Sequence, residues 1–183
     1  MRAWQIISSG GIDALRLTDV EIPKPAQGQV RVKIEASSLN YRDLLMIEDP
    51  IGRNLQLPRV PNSDASGTIT AVGSGVKSLR EGDRVASCFF SSWVDGVITH
   101  AAMSSALGGA LDGVLAEEVV LNADGVISLP RGYSSVQGST LPCAALTAWH
   151  ALFEIKRIQK GDRVLLLGTG GVSIFAMQFA VAV

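Results

Sequence analysis

Short runs of alternating apolar and polar residues fill the first two-thirds of the chain. Val30, Val32 and Ile34 alternate with Arg31, Lys33 and Glu35, the period of a strand with one face buried. Residues 2–7, 15–21 and 29–36 read as strands, punctuated by Pro23, Pro25 and Gly28. A second β-rich block follows at residues 66–72 and 83–86, and further strands are expected at 113–121 and 125–129. So many short strands between glycine turns predict a barrel or a sandwich. Tyr41–Glu48 reads as a short helix started by Asn40 as N-cap. The Ala-, Ser- and Gly-rich stretch 95–112 has no period and reads as a long loop.

The period changes near Pro130. Residues 134–153 have helical spacing, with Leu141, Ala145, Ala148, Trp149 and Leu152 able to share one face. Lys160-Gly161-Asp162 then turns into residues 163–167, apolar enough for a strand of a parallel sheet. A glycine turn and a final apolar helix over 174–183 complete the pattern. The expected division is a β domain over 1–130, then linking helices and a first βα unit over 131–183. One βα unit cannot cover both of its own faces, so the fold is expected to continue elsewhere.

Composition narrows the function. Apolar residues make up 47% and charged residues 18%, the balance of a chain that folds around a core. A net charge of −1 supplies no field for a nucleic-acid backbone. Two cysteines, Cys88 and Cys143, with no secretory leader, point to a reducing, cytoplasmic setting. Residues 164–183 carry no charge and have the length of a bilayer span, but the glycines at 168, 170 and 171 and the polar Ser173 and Gln178 favour strand, turn and helix over a membrane anchor.

The candidate chemistry begins at that turn. Gly168-Thr169-Gly170-Gly171-Val172-Ser173 lies between a strand and a helix, where glycines let backbone amides approach a pyrophosphate at a helix N-terminus. Gly168 and Gly170 fit the G-x-G-x-x-G pattern and Ser173 takes the place of the third glycine. The residue that separates NAD from NADP would fall past Val183.

Several further segments resemble one family in order and spacing: Asn40-Tyr41-Arg42-Asp43, Pro61-Asn62-Ser63-Asp64-Ala65-Ser66-Gly67, Val72-Gly73-Ser74-Gly75-Val76, Gly82-Asp83-Arg84-Val85, Leu146-Thr147-Ala148-Trp149 and the glycine turn. The chain resembles the medium-chain dehydrogenase/reductases. The resemblance implies a GroES-like β-barrel catalytic domain followed by the start of an α/β Rossmann domain, α+β overall for this stretch, a small-molecule substrate and a homodimer. At the positions where zinc-dependent members have Cys, His and Glu, this chain has Asn40, Ser63 and Asp64, leaving Cys143 as the one thiol, and no cysteine stands between Cys88 and Leu121 to build a structural zinc lobe. The resemblance is therefore to the zinc-independent, quinone oxidoreductase-like branch. It implies Asn40, Tyr41 and Asp43 as catalytic-site residues, with Asn40 a donor to substrate or cofactor, Tyr41 a donor and Asp43 orienting its neighbours. It also implies Thr147 beside the nicotinamide and Gly168, Thr169, Gly170, Gly171 and Val172 around the diphosphate of NAD or NADP.

Structural alternatives stand beside each assignment. Asn40 is explained by capping, Tyr41 by a half-buried aromatic, Cys143 by a small apolar filler, and Phe89, Phe90 and Trp93 by core packing as well as by a cleft wall. His150 reads as a surface or capping residue, and His100, in the low-complexity loop, is assigned no role. Three functions remain open from the sequence: a metal-free nicotinamide oxidoreductase, a barrel domain without a competent cofactor site, and a zinc alcohol dehydrogenase.

Overall fold

The structure, a computed structural model, describes residues 1–183. Two strands, β1 (Arg2–Ile6) and β2 (Leu15–Asp19), form an antiparallel ribbon. Strands β3 (Gln29–Ser38), β4 (Asp64–Val72), β5 (Arg84–Ser87), β6 (Glu118–Asn122) and β7 (Val126–Ser128) form one antiparallel sheet in the order β6-β3-β4-β5-β7. Its two outermost strands, β6 and β7, are joined by the three residues Ala123–Gly125. Such a link reaches about 14 Å, whereas the edges of a flat five-stranded sheet lie about 19 Å apart, so the sheet has to curl toward a barrel. All five strands contribute to the core that fills it: Val30, Val32, Ala65, Ile69, Val85, Val119, Leu121 and Val126, joined by Leu107 and Val114. Each fully buried valine or isoleucine there contributes about 1.5–3 kcal/mol.

The alternation expected in β3 is observed, with Val30 and Val32 inside and Arg31 outside, paired to Glu118 of β6 at 2.8 Å. Opposite Ile34, the β4 backbone passes so close that a Cβ on Gly67 would overlap the Lys33 carbonyl, so no larger residue fits. Helix α1 (Tyr41–Glu48) buries Asp43 and Ile47, one turn apart. Ile47 packs with Ile6 and Leu55 in a second small core that anchors the ribbon.

Some segments differ from expectation. In place of the strand expected over 113–121, only Glu118–Asn122 pairs as strand. The residues before it bond irregularly, Trp4 N–H to the Leu115 carbonyl (3.0 Å) and Gly113 N–H to that of Val60 (2.8 Å). The expected loop 95–112 contains a one-turn helix, α2 (His100–Met103), capped by Thr99, whose hydroxyl accepts the Ala102 N–H at 3.2 Å. Residues 163–167 form no strand, and Leu165 and Leu167 are more than 80% exposed, since no neighbouring strand pairs with their backbone groups.

The long helical region starts at Ser134, which shares a capping box with Gln137, and runs through α3 (Ser135–Ser139), a π-helical stretch Leu141–Ala145, α4 (Leu146–Trp149) and a second π-helical stretch His150–Ile155. Ala145, Ala148 and Leu152 are buried as expected, but Trp149 is half-exposed and packs against Phe153 at a tilt and against Phe179 edge to face. The last helix, α5 (Gly171–Val181), begins three residues earlier and ends two residues sooner than the expected 174–183. No helix is long and apolar enough to cross a membrane.

Candidate functional site

Four segments meet where the barrel touches the long helical region: the N-terminus of α1, the start of β4, the loop carrying Phe89 and Leu107, and the π-helical stretch around Cys143. Asp43 and Asp64 are buried there, 2% and 0% exposed. Asp43 Oδ2 accepts the Asn40 backbone N–H at 2.8 Å and so fixes the entry to α1, while Oδ1 lies 3.7 Å from Arg42 Nη1. Arg42 Nη1 donates to the Leu107 carbonyl at 2.6 Å, and its guanidinium lies 4.8 Å from the centre of the Phe89 ring. Asp64 Oδ1 accepts the Ser63 hydroxyl at 2.6 Å and Oδ2 accepts the Cys143 backbone N–H at 2.8 Å.

Low solvation sets the electrostatics. Burial raises the pKa of both Asp43 and Asp64, against the opposing pull of their hydrogen bonds and of Arg42. Burial pulls the Arg42 pKa down, against Asp43. The Cys143 thiol is pushed up to about 11 by burial, then by Asp64 and Asp43, with Thr147 and Arg42 opposing. That thiol is neutral at physiological pH.

Asn40 approaches Asp64 closely enough to hold its carboxyl down, yet its buried Nδ2 lacks a hydrogen-bond partner of good geometry. It is a spare donor at the site. Tyr41 points away from this cluster, 75% exposed. Thr147 is exposed one turn beyond Cys143 and faces the thiol. His150 is exposed.

The glycine turn adjoins the same helix. A Cβ on Gly171 would stand 3.1 Å from the Ala144 methyl, next to Cys143, so the turn lies against the site's far wall. Gly168 has φ +76°, a conformation that favours glycine, and Gly170 has φ −74°. A Cβ on either would meet nothing within 4 Å, so the space over the turn is open. Ser173, in the third glycine's place, turns its hydroxyl back onto the Leu167 carbonyl at 2.8 Å. The first helical bond of α5 runs from Ile174 N–H to the Gly170 carbonyl, which leaves the amides of 171–173 without acceptors inside the helix.

Arg42 and Asp64 were visible in the sequence only as members of motifs, and nothing local marked them. Their burial, and the Asp64 bond to a helix seventy-nine positions away, follow from the tertiary fold alone. No cluster of three or more His, Cys, Asp or Glu side chains is arranged to hold a metal ion.

Comparison with known proteins agrees with this architecture. Residues 26–131 match the alcohol dehydrogenase GroES-like domain. A zinc-type alcohol dehydrogenase-like protein of Schizosaccharomyces pombe is 45% identical over 175 residues, 94% of this chain and 51% of that protein. A quinone oxidoreductase of Rattus norvegicus is 34% identical over 183 residues, 98% of this chain and 49% of its own length. The crystal structure of a candidate alcohol dehydrogenase from Sinorhizobium meliloti 1021 superposes with a TM-score of 0.92 at 41% identity, over 99% of this chain and 54% of that one. The chain thus spans about half the length of the relatives it matches. With the GroES-like match over more than half of its length and these relatives along nearly all of it, the chain belongs to the medium-chain dehydrogenase/reductase family, of which it carries the alcohol dehydrogenase GroES-like domain.

Proposed function

We propose that the full-length protein carrying this chain moves a hydride between NAD or NADP and a small carbonyl, enone, quinone or alcohol without zinc. The single observation that carries this reading is the open glycine turn at the head of α5, seated against the helix that bears Cys143 and Thr147. It is a cradle that side chains at 168 or 170 would fill. When bound, the nicotinamide supplies or takes up the hydride. The amides of Gly171, Val172 and Ser173 and the positive end of α5 hold the diphosphate, with Gly168, Thr169 and Gly170 shaping the space above them.

On the barrel side, Asn40 has a buried amide donor near Asp64 but without a partner of good geometry, suited to a substrate oxygen that gains negative charge. Asp43 fixes the Asn40 backbone. We assign the exposed Tyr41 phenol, outside the buried cluster, as a donor at the rim, and the Thr147 hydroxyl, which faces the Cys143 thiol, to the nicotinamide side. The family's zinc positions argue against a metal here. Asn40 and Ser63 are poor zinc donors, Asp64 is engaged with Ser63 and Cys143, and a thiol with a pKa of about 11 gives up its proton reluctantly. The division into 1–130 and 131–183, a homodimeric assembly and a cytoplasmic location belong to the same proposal, supported by the family and by the two unpaired cysteines.

The test is NAD(P)H oxidation by the full-length protein with enone and quinone acceptors after exhaustive chelation. Full activity without metal is expected, with kcat falling about 10²-fold in Asn40→Ala, the scale of losing one oxyanion donor. Activity that vanishes on chelation and returns with zinc would contradict the metal-free reading.

A further inference from the structure

Asp64 has no part in the chemistry just described, yet it is fully buried and holds two groups from different parts of the fold. One carboxylate oxygen takes the hydroxyl of Ser63, at the end of the segment entering β4. The other takes the backbone N–H of Cys143, which lies in the π-helical stretch Leu141–Ala145. In that stretch the backbone leaves regular α-helical bonding, and the carboxylate replaces a helical acceptor for the Cys143 amide. Ser87 adds a second tie on the barrel side, donating to the Ser63 carbonyl at 2.8 Å and accepting the Ala65 N–H at 3.0 Å. The helix so held carries Thr147 one turn on, and Ala144 of the same stretch receives Gly171 of the glycine turn.

We propose that Asp64 is a positioning residue: its carboxylate bolts the helix beside the cofactor turn onto the barrel wall that carries Asn40, and so fixes the spacing between the substrate side and the cofactor side of the site. The inference rests on the functional reading above for the meaning of those two sides, and on the two hydrogen bonds alone for the bolt itself. Transfer between two bound partners depends steeply on their separation, so loosening this link lowers turnover while leaving each partner's own binding contacts in place. Asn replaces Asp only in part: its oxygen can keep the Cys143 N–H, but its NH2 then needs the Ser63 hydroxyl to turn and accept, and the negative charge that strengthens both bonds is gone.

The experiment compares full-length wild type, Asp64→Asn, Asp64→Glu and Ser63→Ala, reading kcat and the cofactor KM together with the pH dependence of Cys143 alkylation by iodoacetamide. Asp64→Asn is expected to lower kcat at least 10-fold with the cofactor KM within twofold. It should also move the alkylation midpoint to lower pH, because the neighbouring carboxylate charge is gone. Asp64→Glu, which keeps the charge, should recover part of kcat. Should Asp64→Asn fail to fold, Ser63→Ala decides. It leaves the Cys143 bond but removes the hydroxyl that holds the Asp64 carboxyl down, with the Asn40 amide, the Arg42 charge and the Asp43 carboxyl still facing it, so the acid limb of kcat moves to higher pH. A kcat within twofold of wild type in Asp64→Asn, an unmoved alkylation midpoint, or an unmoved acid limb in Ser63→Ala would overturn the proposal. If wild type transfers no hydride to any acceptor, the functional reading fails, while the alkylation profile still reports whether Asp64 governs Cys143.

Discussion

Burial of the Cys143 thiol beside the Asp64 and Asp43 carboxylates links folding to alkaline pH. Between pH 9, where a free thiol ionises, and about 11, where this one does, the unfolded chain binds fewer protons than the folded one, so stability falls as pH rises through that window and is unaffected below it. A full two-unit shift would amount to about 2.7 kcal/mol, and the partial exposure of Cys143 reduces this to about 1 kcal/mol. Urea unfolding of wild type and Cys143→Ala at pH 8.5 and 11 is expected to show wild type losing about 1 kcal/mol more than the variant over that interval. Equal losses would mean that the thiol is not desolvated by the fold. The buried carboxyls have the opposite protonation preference to salt-bridged acids: their raised pKa values make the fold gain stability as pH drops from the raised values toward 3.8. At this scale the sequence showed which residue types stand at the site but not their state. The reading of Cys143 as a small apolar filler is half of its character, since the same burial that makes it apolar keeps it protonated, and only the fold brings Asp64 against it.

Among the elements, β4 is the most tightly specified, because Asp64 to Gly67 are all buried and Gly67 runs against the Lys33 carbonyl. Gly67→Ala is expected to destabilise by about 2–3 kcal/mol as the β3–β4 backbones part, measured as a shift of the urea midpoint at unchanged slope. A midpoint within error of wild type would show that the strands can separate freely there. Elements with strong local patterns were legible. The alternation in β3 and the span of α1 came through because one face of each is buried and the other is wet. Residues 163–167 misled because an apolar run reports only a tendency to burial, and a strand exists only through neighbours, of which these residues have none. Residues 113–116 misled in the reverse way: their backbone groups are satisfied by Arg2–Ile6 and by residues 60–62, irregular partners that no periodicity announces. The π-helical stretches had no sequence mark either, since that around Cys143 is tied to a carboxylate seventy-nine positions distant.

For the molecule as a whole, two substructures meet along one helix. The barrel closes around its own core, while the long helix and α5 share a smaller one built from Ala148, Leu152 and Ala176, rimmed by Phe153, Phe175 and Phe179. The way the glycine turn abuts Ala144 was not readable in the motifs, because it follows from the packing of Gly171, where a Cβ would stand only 3.1 Å from the Ala144 methyl. Function depends on whether that turn receives a dinucleotide. Gly170 offers an unusually clean test, because its φ of −74° suits any L-residue and a Cβ there touches nothing within 4 Å, so Gly170→Val fills the space over the turn without disturbing the fold. Calorimetric titration of the full-length protein with NADPH and NADH should show saturable, stoichiometric binding of at least one of them, weakened at least 10-fold in Gly170→Val while the urea midpoint stays in place. Absence of binding to both, or equal affinity in the variant, would contradict the account.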